Sequence, residues 1–180
     1  MTNIKVRWLR ALSQHCLRMC IRTDEAERQK QNIIYPITNI IKQMKYFIAS
    51  KWRNKEQVNE LVARLREKDH EVFSFIESEV NFLDGKTPEE EMQAFESIKD
   101  WQNDSRIKVV YKSDIDGLRE AEIFILLLPS GSSAHIEAGI AYGWNKKMVC
   151  IGQIDKPEIH YLIFDKFFDS IDQFISSISN

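Results

Sequence analysis

From Met44 onward the apolar positions alternate between short unbroken runs and stripes at helical spacing, a pattern that predicts strands alternating with covering helices. "KYFIA" reads as a buried strand, and "NKEQVNELVARLREK" follows as a helix with Val58, Leu61, Val62 and Leu65 at i, i+3, i+4 and i+7 and Asn54 as its N-cap. "EVFSFI" is a second strand. "LDGKTPEEEMQAFESIKDWQND" then opens a helix whose Thr87, Pro88 and Glu90 stand where a capping box requires them. "VYKSDIDGLREA" reads as a helix, "EIFILLLP" as the central strand, "SSAHIEAGIAYGWN" as a helix and "KMVCIG" as a further strand. The tail "FFDSIDQFISSIS" closes with a helix capped by Ser170, its face made by Ile171, Phe174, Ile175 and Ile178. The fold class is therefore α/β: a flavodoxin-like or Rossmann-like open parallel sheet of about five strands, with helices on both faces.

Residues 1–43 break this rhythm. They allow a helix to about Arg28, without a consistent apolar face, and Pro36 interrupts the remainder of the segment. The expected organisation is an extension over 1–43, either loosely attached or upstream of the true start, and a domain over 44–180.

Composition narrows the partners. At 180 residues and a formal net charge of −2, with no long basic tract, the chain lacks an electrostatic grip on nucleic acid or an anionic membrane. No apolar run reaches the length of a membrane span and the N-terminus lacks a secretion signal, so the expected location is cytoplasmic. Three cysteines, Cys16, Cys20 and Cys150, form no CxxC pair, and the His15–Cys16–Cys20 cluster lacks a fourth ligand. Free thiols and no metal are expected.

Chemistry concentrates in "PSGSSAHIEAG" after the central strand. Gly131 permits unusual backbone angles, Ser130, Ser132 and Ser133 carry hydroxyls, and the next helix presents unpaired N–H groups that favour an anion. The stretch is no P-loop, and "IASKWRN" supplies no GxGxxG. With Ser133 as cap, Glu137 lies one turn into the helix, Ile136 and Ile140 face the sheet, and Gly139 and Gly143 admit a close neighbour. A semi-buried carboxylate is unfavourable unless hydrogen-bonded or functional; the alternative is a glutamate on a solvated face.

The ordered set of an Asp before the central strand, a small-residue turn, Glu-x-Gly, and then Gly and Lys before the next strand resembles the nucleoside 2-deoxyribosyltransferase family, including its 2′-deoxynucleoside 5′-phosphate N-hydrolase branch. The resemblance runs from about Met44 to the C-terminus. It implies that Glu137 is a nucleophile attacking the anomeric carbon and that Asp114, with Asp116 as its near rival, manages the proton of the leaving base. It further implies a nucleoside or nucleotide substrate, no cofactor, and a homodimer or higher homo-oligomer with Ala141, Gly143 and Trp144 at the interface or in the core. A helix start would keep Glu137 ionised, while Asp114 would be protonated in turn.

Transferases of the family carry an acid in the serine turn, whereas the hydrolases hold a 5′-phosphate with serine and backbone amides. Here no acid lies between Pro129 and Glu137, which favours the nucleotide. Tyr46, Ser50 and Arg53 form the other expected wall, with Arg53 facing a phosphate and Trp52 available to stack on a base. Ala138 replaces the family's usual leucine, and Ala49-Ser50 stand where glycine is frequent. His135 is either a pocket donor or an exposed helix residue. Two other readings stay open: a nucleotide-sensing module without turnover, and an NAD glycohydrolase of the Toll/interleukin-receptor-like type.

Overall fold

The computed structural model describes residues 42–77 and 87–178. Expectations for the extension before residue 42, for the His15–Cys16–Cys20 cluster and for "LDGK" lie outside them.

Five strands, β1 (Lys45–Ala49), β2 (Glu71–Ser74), β3 (Ile123–Leu127), β4 (Lys147–Ile151) and β5 (Lys166–Phe168), pair in the order β2-β1-β3-β4-β5. All four pairings are parallel. This is the flavodoxin-like strand order, and it reverses direction between β1 and β3, so the loops leaving these two strands diverge and open a crevice at the sheet's carboxyl edge.

Side chains alternate across each strand and so build two cores. On one face Tyr46, Ile48, Ile125 and Leu127 pack against α1 (Lys55–Arg66) and the closing helix α5 (Ile171–Ser177). The stripe Val58, Leu61, Val62 and Leu65 is wholly buried, as its spacing predicts. On the other face Phe47, Ala49, Phe124 and Leu126 meet Leu118 of α3 (Ser105–Glu120) and Ala134, Ala138 and Ala141 of α4 (Ser132–Gly143). Gly117 lets α3 lie on β2: a Cβ there would fall 2.5 Å from Cγ of Phe73, whose ring is itself stacked on Phe47 at 5.1 Å.

Several boundaries depart from the sequence reading. Thr87 and Glu90 do form the capping box of α2 (Pro88–Glu96), but the helix stops there and α3 starts afresh with Asp104 accepting from the Arg106 N–H at 2.8 Å. Asn54 sits at the N-cap of α1 without capping it, because its amide is drawn elsewhere. Helix α4 is preceded by Gly131, not capped by Ser133. Ile136 points outward, 66% exposed, and the alanines face the sheet instead. Small side chains on the inner face let the helix approach closely, and that requirement outweighs the burial of one isoleucine. The short edge strand β5 was not placed by the sequence pattern; with Lys166 and Phe167 both exposed, it lacks a buried apolar run.

Candidate active site at the strand crossover

The crevice between the β1 and β3 loops is a cavity of about 570 Å³. Its two loops are tied together. The Ser50 hydroxyl donates to the Leu127 carbonyl at 2.7 Å and to that of Pro129 at 3.3 Å, and accepts from Asn54 Nδ2 at 3.0 Å. Asn54 Nδ2 also reaches the Leu128 carbonyl at 3.4 Å. Buried Asn54 thus spends its amide on fixing the pocket floor rather than on the helix end.

Two carboxyls enter this cavity, Asp114 from the middle of α3 and Glu137 from the second turn of α4. Burial pushes Asp114 up to about 6. Burial, and then the nearby Asp114 charge, push Glu137 up to about 8. The order is the reverse of the sequence expectation. Glu137 sits beyond the first turn, where the helix-start field has faded, so loss of solvent and a like charge prevail. Between about pH 6 and 8 the pair carries one proton. Among the described residues no hydrogen-bond partner reaches Asp114 Oδ1, a buried acceptor left open toward whatever fills the cavity. Asp116 lies on the solvent side in an ion pair with Lys112, so the cavity carboxyl is Asp114.

Gly131, Ser132 and Ser133 line the cavity at the start of α4, with Lys51 beside them: its Cβ lies 3.9 Å from where a Gly131 Cβ would stand. Ser130 Oγ is buried without a partner among the described residues. His135 lies outside the lining. Its Nδ1 is 2.9 Å from the Gly131 carbonyl and its Nε2 3.1 Å from the Tyr161 hydroxyl. A carbonyl only accepts, so Nδ1 carries the proton and Nε2 receives the Tyr161 O–H. The imidazole braces the serine turn from outside.

Two expected wall residues are elsewhere. Tyr46 is buried in the core, edge-on to Phe174 at 6.3 Å, because the start of β1 lies a strand's length from the carboxyl edge. Arg53 faces solvent in a bidentate pair with Glu89 at 2.5 and 2.6 Å. Lys51 is the cation at the cavity. The wall that sequence reasoning missed comes from α2 and the 3-10 turn after β2: Phe75, Ile76, Glu91, Met92 and Phe95 join Trp52 there. Trp52 packs on Phe75 at 5.6 Å and donates its indole N–H to Glu91 at 2.9 Å. The clue was the acidic first turn of α2, which also serves as a helix-start charge and so conceals a pocket role.

No helix among the described residues is long and apolar enough to cross a membrane. No protein-family model and no curated protein matches the chain. Among solved structures, the 2-deoxyribosyltransferase of Bacillus psychrosaccharolyticus superposes with a TM-score of 0.52 at 16% identity, over 74% of this chain and 95% of that one. A CMP N-glycosidase of Clostridium botulinum, BcmB, superposes with a TM-score of 0.46 at 16% identity, over 76% and 99%. A conserved protein of Enterococcus faecalis V583 gives 0.48 at 11% identity, over 76% and 98%. The first of these shows that the chain shares the 2-deoxyribosyltransferase fold.

Proposed function

We propose that this chain is an enzyme of the nucleoside 2-deoxyribosyltransferase type, which breaks the N-glycosidic bond of a nucleoside or nucleoside 5′-monophosphate through a glycosyl ester of Glu137. The observation that carries the reading is one shared proton on two carboxyls facing one sugar-sized cavity. The chemistry needs that protonation state: one carboxylate to attack and one acid to give. Glu137 Oε bonds to C1′ as the C1′–N bond breaks, and the electron pair leaves on the base nitrogen, which takes a proton from Asp114. Water then attacks C1′ from the side the base vacated, Asp114 takes its proton, and Glu137 is freed; a second base in place of water gives transfer. Residues of this chain supply every step, so no cofactor enters.

The turn Ser130–Ser133 with Lys51 supports a 5′-phosphate at the α4 start, where amide N–H groups, hydroxyls and a cation converge on a buried hydroxyl lacking a partner among the described residues. Ser50 belongs to the floor that fixes this turn. The test is incubation of the full chain with nucleosides, 5′-monophosphates and NAD, following free base by chromatography. Release from a monophosphate is expected; release from NAD alone would transfer the reading to a dinucleotide glycohydrolase, and no release from any substrate would leave a binding module.

The outward face of α4 supports a homodimer. Ile136 and Tyr142 are 66% and 56% exposed, and a Cβ on Gly139 or Gly143 would meet nothing within 4 Å. A second copy of this helix fits such a face. Trp144, by contrast, is half-covered by Arg119 at 5.3 Å, and Ala141 belongs to the core. Light scattering on the eluting full chain should give twice the chain mass, and Ile136→Glu should halve it; a wild-type monomer at micromolar concentration refutes the dimer.

A further inference from the structure

The chemistry at the strand crossover does not say which base is cleaved. The α2 side of the cavity bears on that question. Trp52, Phe75, Ile76, Met92 and Phe95 make it apolar and aromatic, which suits the flat face of a base. Into this apolar wall comes one carboxylate, that of Glu91. Its Oε2 is fixed by the Trp52 indole N–H at 2.9 Å. That bond orients the carboxylate plane, and the indole is steadied in turn by Phe75 and by the Lys55 ammonium 5.6 Å from its ring centre.

Resting on the reading of a nucleobase in this cavity, we infer that Glu91 is the residue that reads the base. The oxygen that Trp52 leaves free accepts a hydrogen from an exocyclic amino group, so cytosine and adenine are preferred to uracil and hypoxanthine. An ionised carboxylate only accepts. An amino group gives it a charge-assisted hydrogen bond, whereas the oxo group at the same position of uracil or hypoxanthine sets two acceptors against each other in a desolvated site. Sites built around a polar partner discriminate strongly against the analogue that cannot supply it, and one such contact gives roughly 10- to 100-fold. Because Glu91 touches the base and not the anomeric carbon, it governs choice among substrates rather than the bond-breaking step.

Glu91→Gln keeps the shape and still accepts from Trp52 through its amide oxygen, but now presents an NH₂ donor to the base. The test is calorimetric titration of CMP against UMP, and of AMP against IMP, with the full-length chain carrying Glu137→Gln so that no turnover intervenes, and with the same chain also carrying Glu91→Gln. The amino member of each pair should bind about 10- to 100-fold more tightly to the first protein, and in the second the preference should vanish or reverse while the melting temperature holds. Equal binding within each pair, or a preference that Glu91→Gln leaves unchanged, refutes the role of Glu91 and leaves the N-glycosidase reading intact. Failure of all four nucleotides to bind overturns both.

Discussion

Glu137→Gln in the full chain lowers base release by at least about 10³-fold, and the loss falls on the rate rather than on substrate affinity. The size reflects the part assigned to the side chain. A nucleophile divides one difficult displacement into two easier ones, and its removal costs more than any single positioning contact. Gln fills the same volume beside Asp114, so the cavity and its walls persist and binding is kept. The measurement is pre-steady-state release of base under single-turnover conditions, joined to mass spectrometry of the acid-quenched protein. Wild type should carry one glycosyl adduct on the peptide containing Glu137, and the variant none. A variant that releases base at the wild-type rate would exclude Glu137 as nucleophile. An adduct found on Asp114 instead would exchange the two roles.

The sequence revealed the frame of this site more readily than its walls. The α1 stripe, the Thr87–Glu90 capping box and the Ser170 cap are local signals, complete within a few residues, and each is present in the fold. The serine turn and Glu137 were legible because one strand-turn-helix unit carries both. Asp114 entered through family resemblance, since spacing could not separate it from Asp116; packing does, by turning one into the cavity and the other toward Lys112. The apolar wall was beyond reach because Trp52 and Glu91 stand 39 positions apart and meet through the placement of α2 alone. Hydropathy misled on α4, where an isoleucine outranks alanine in any pattern but the sheet admits the alanines. Strand β5 escaped because three residues at an exposed edge leave too little pattern.

The same pair of carboxyls sets how stability responds to pH, and the sign is the opposite of ordinary acid denaturation. Both groups have folded values above their unfolded ones: Glu137 moves from 4.5 to about 8, and Asp114 from 3.8 to about 6. The fold therefore favours their protonated forms. Below the unfolded values both are protonated in either state and neither opposes folding. As pH rises the folded protein must give up protons it holds more tightly than the unfolded chain, so stability is lost from about pH 4 until Glu137 has ionised near 8. Taken at face value the Glu137 shift is worth more than about 4 kcal/mol; allowing for the water that reaches a partly exposed side chain, roughly 2–3 kcal/mol remains. Glu137→Gln removes that opposition. In buffers from about pH 5 to 9 its melting temperature should exceed that of wild type by about 5–10 °C at the alkaline end, and the gap should close toward the acid end. A gap independent of pH would mean that Gln merely packs better, and no gap at the alkaline end would place the Glu137 carboxylate in bulk water. The inactive protein being the more stable at about pH 8 is what a site that confines two acids in one cavity requires: the proximity that poises one proton between them for attack and release also opposes the closed fold.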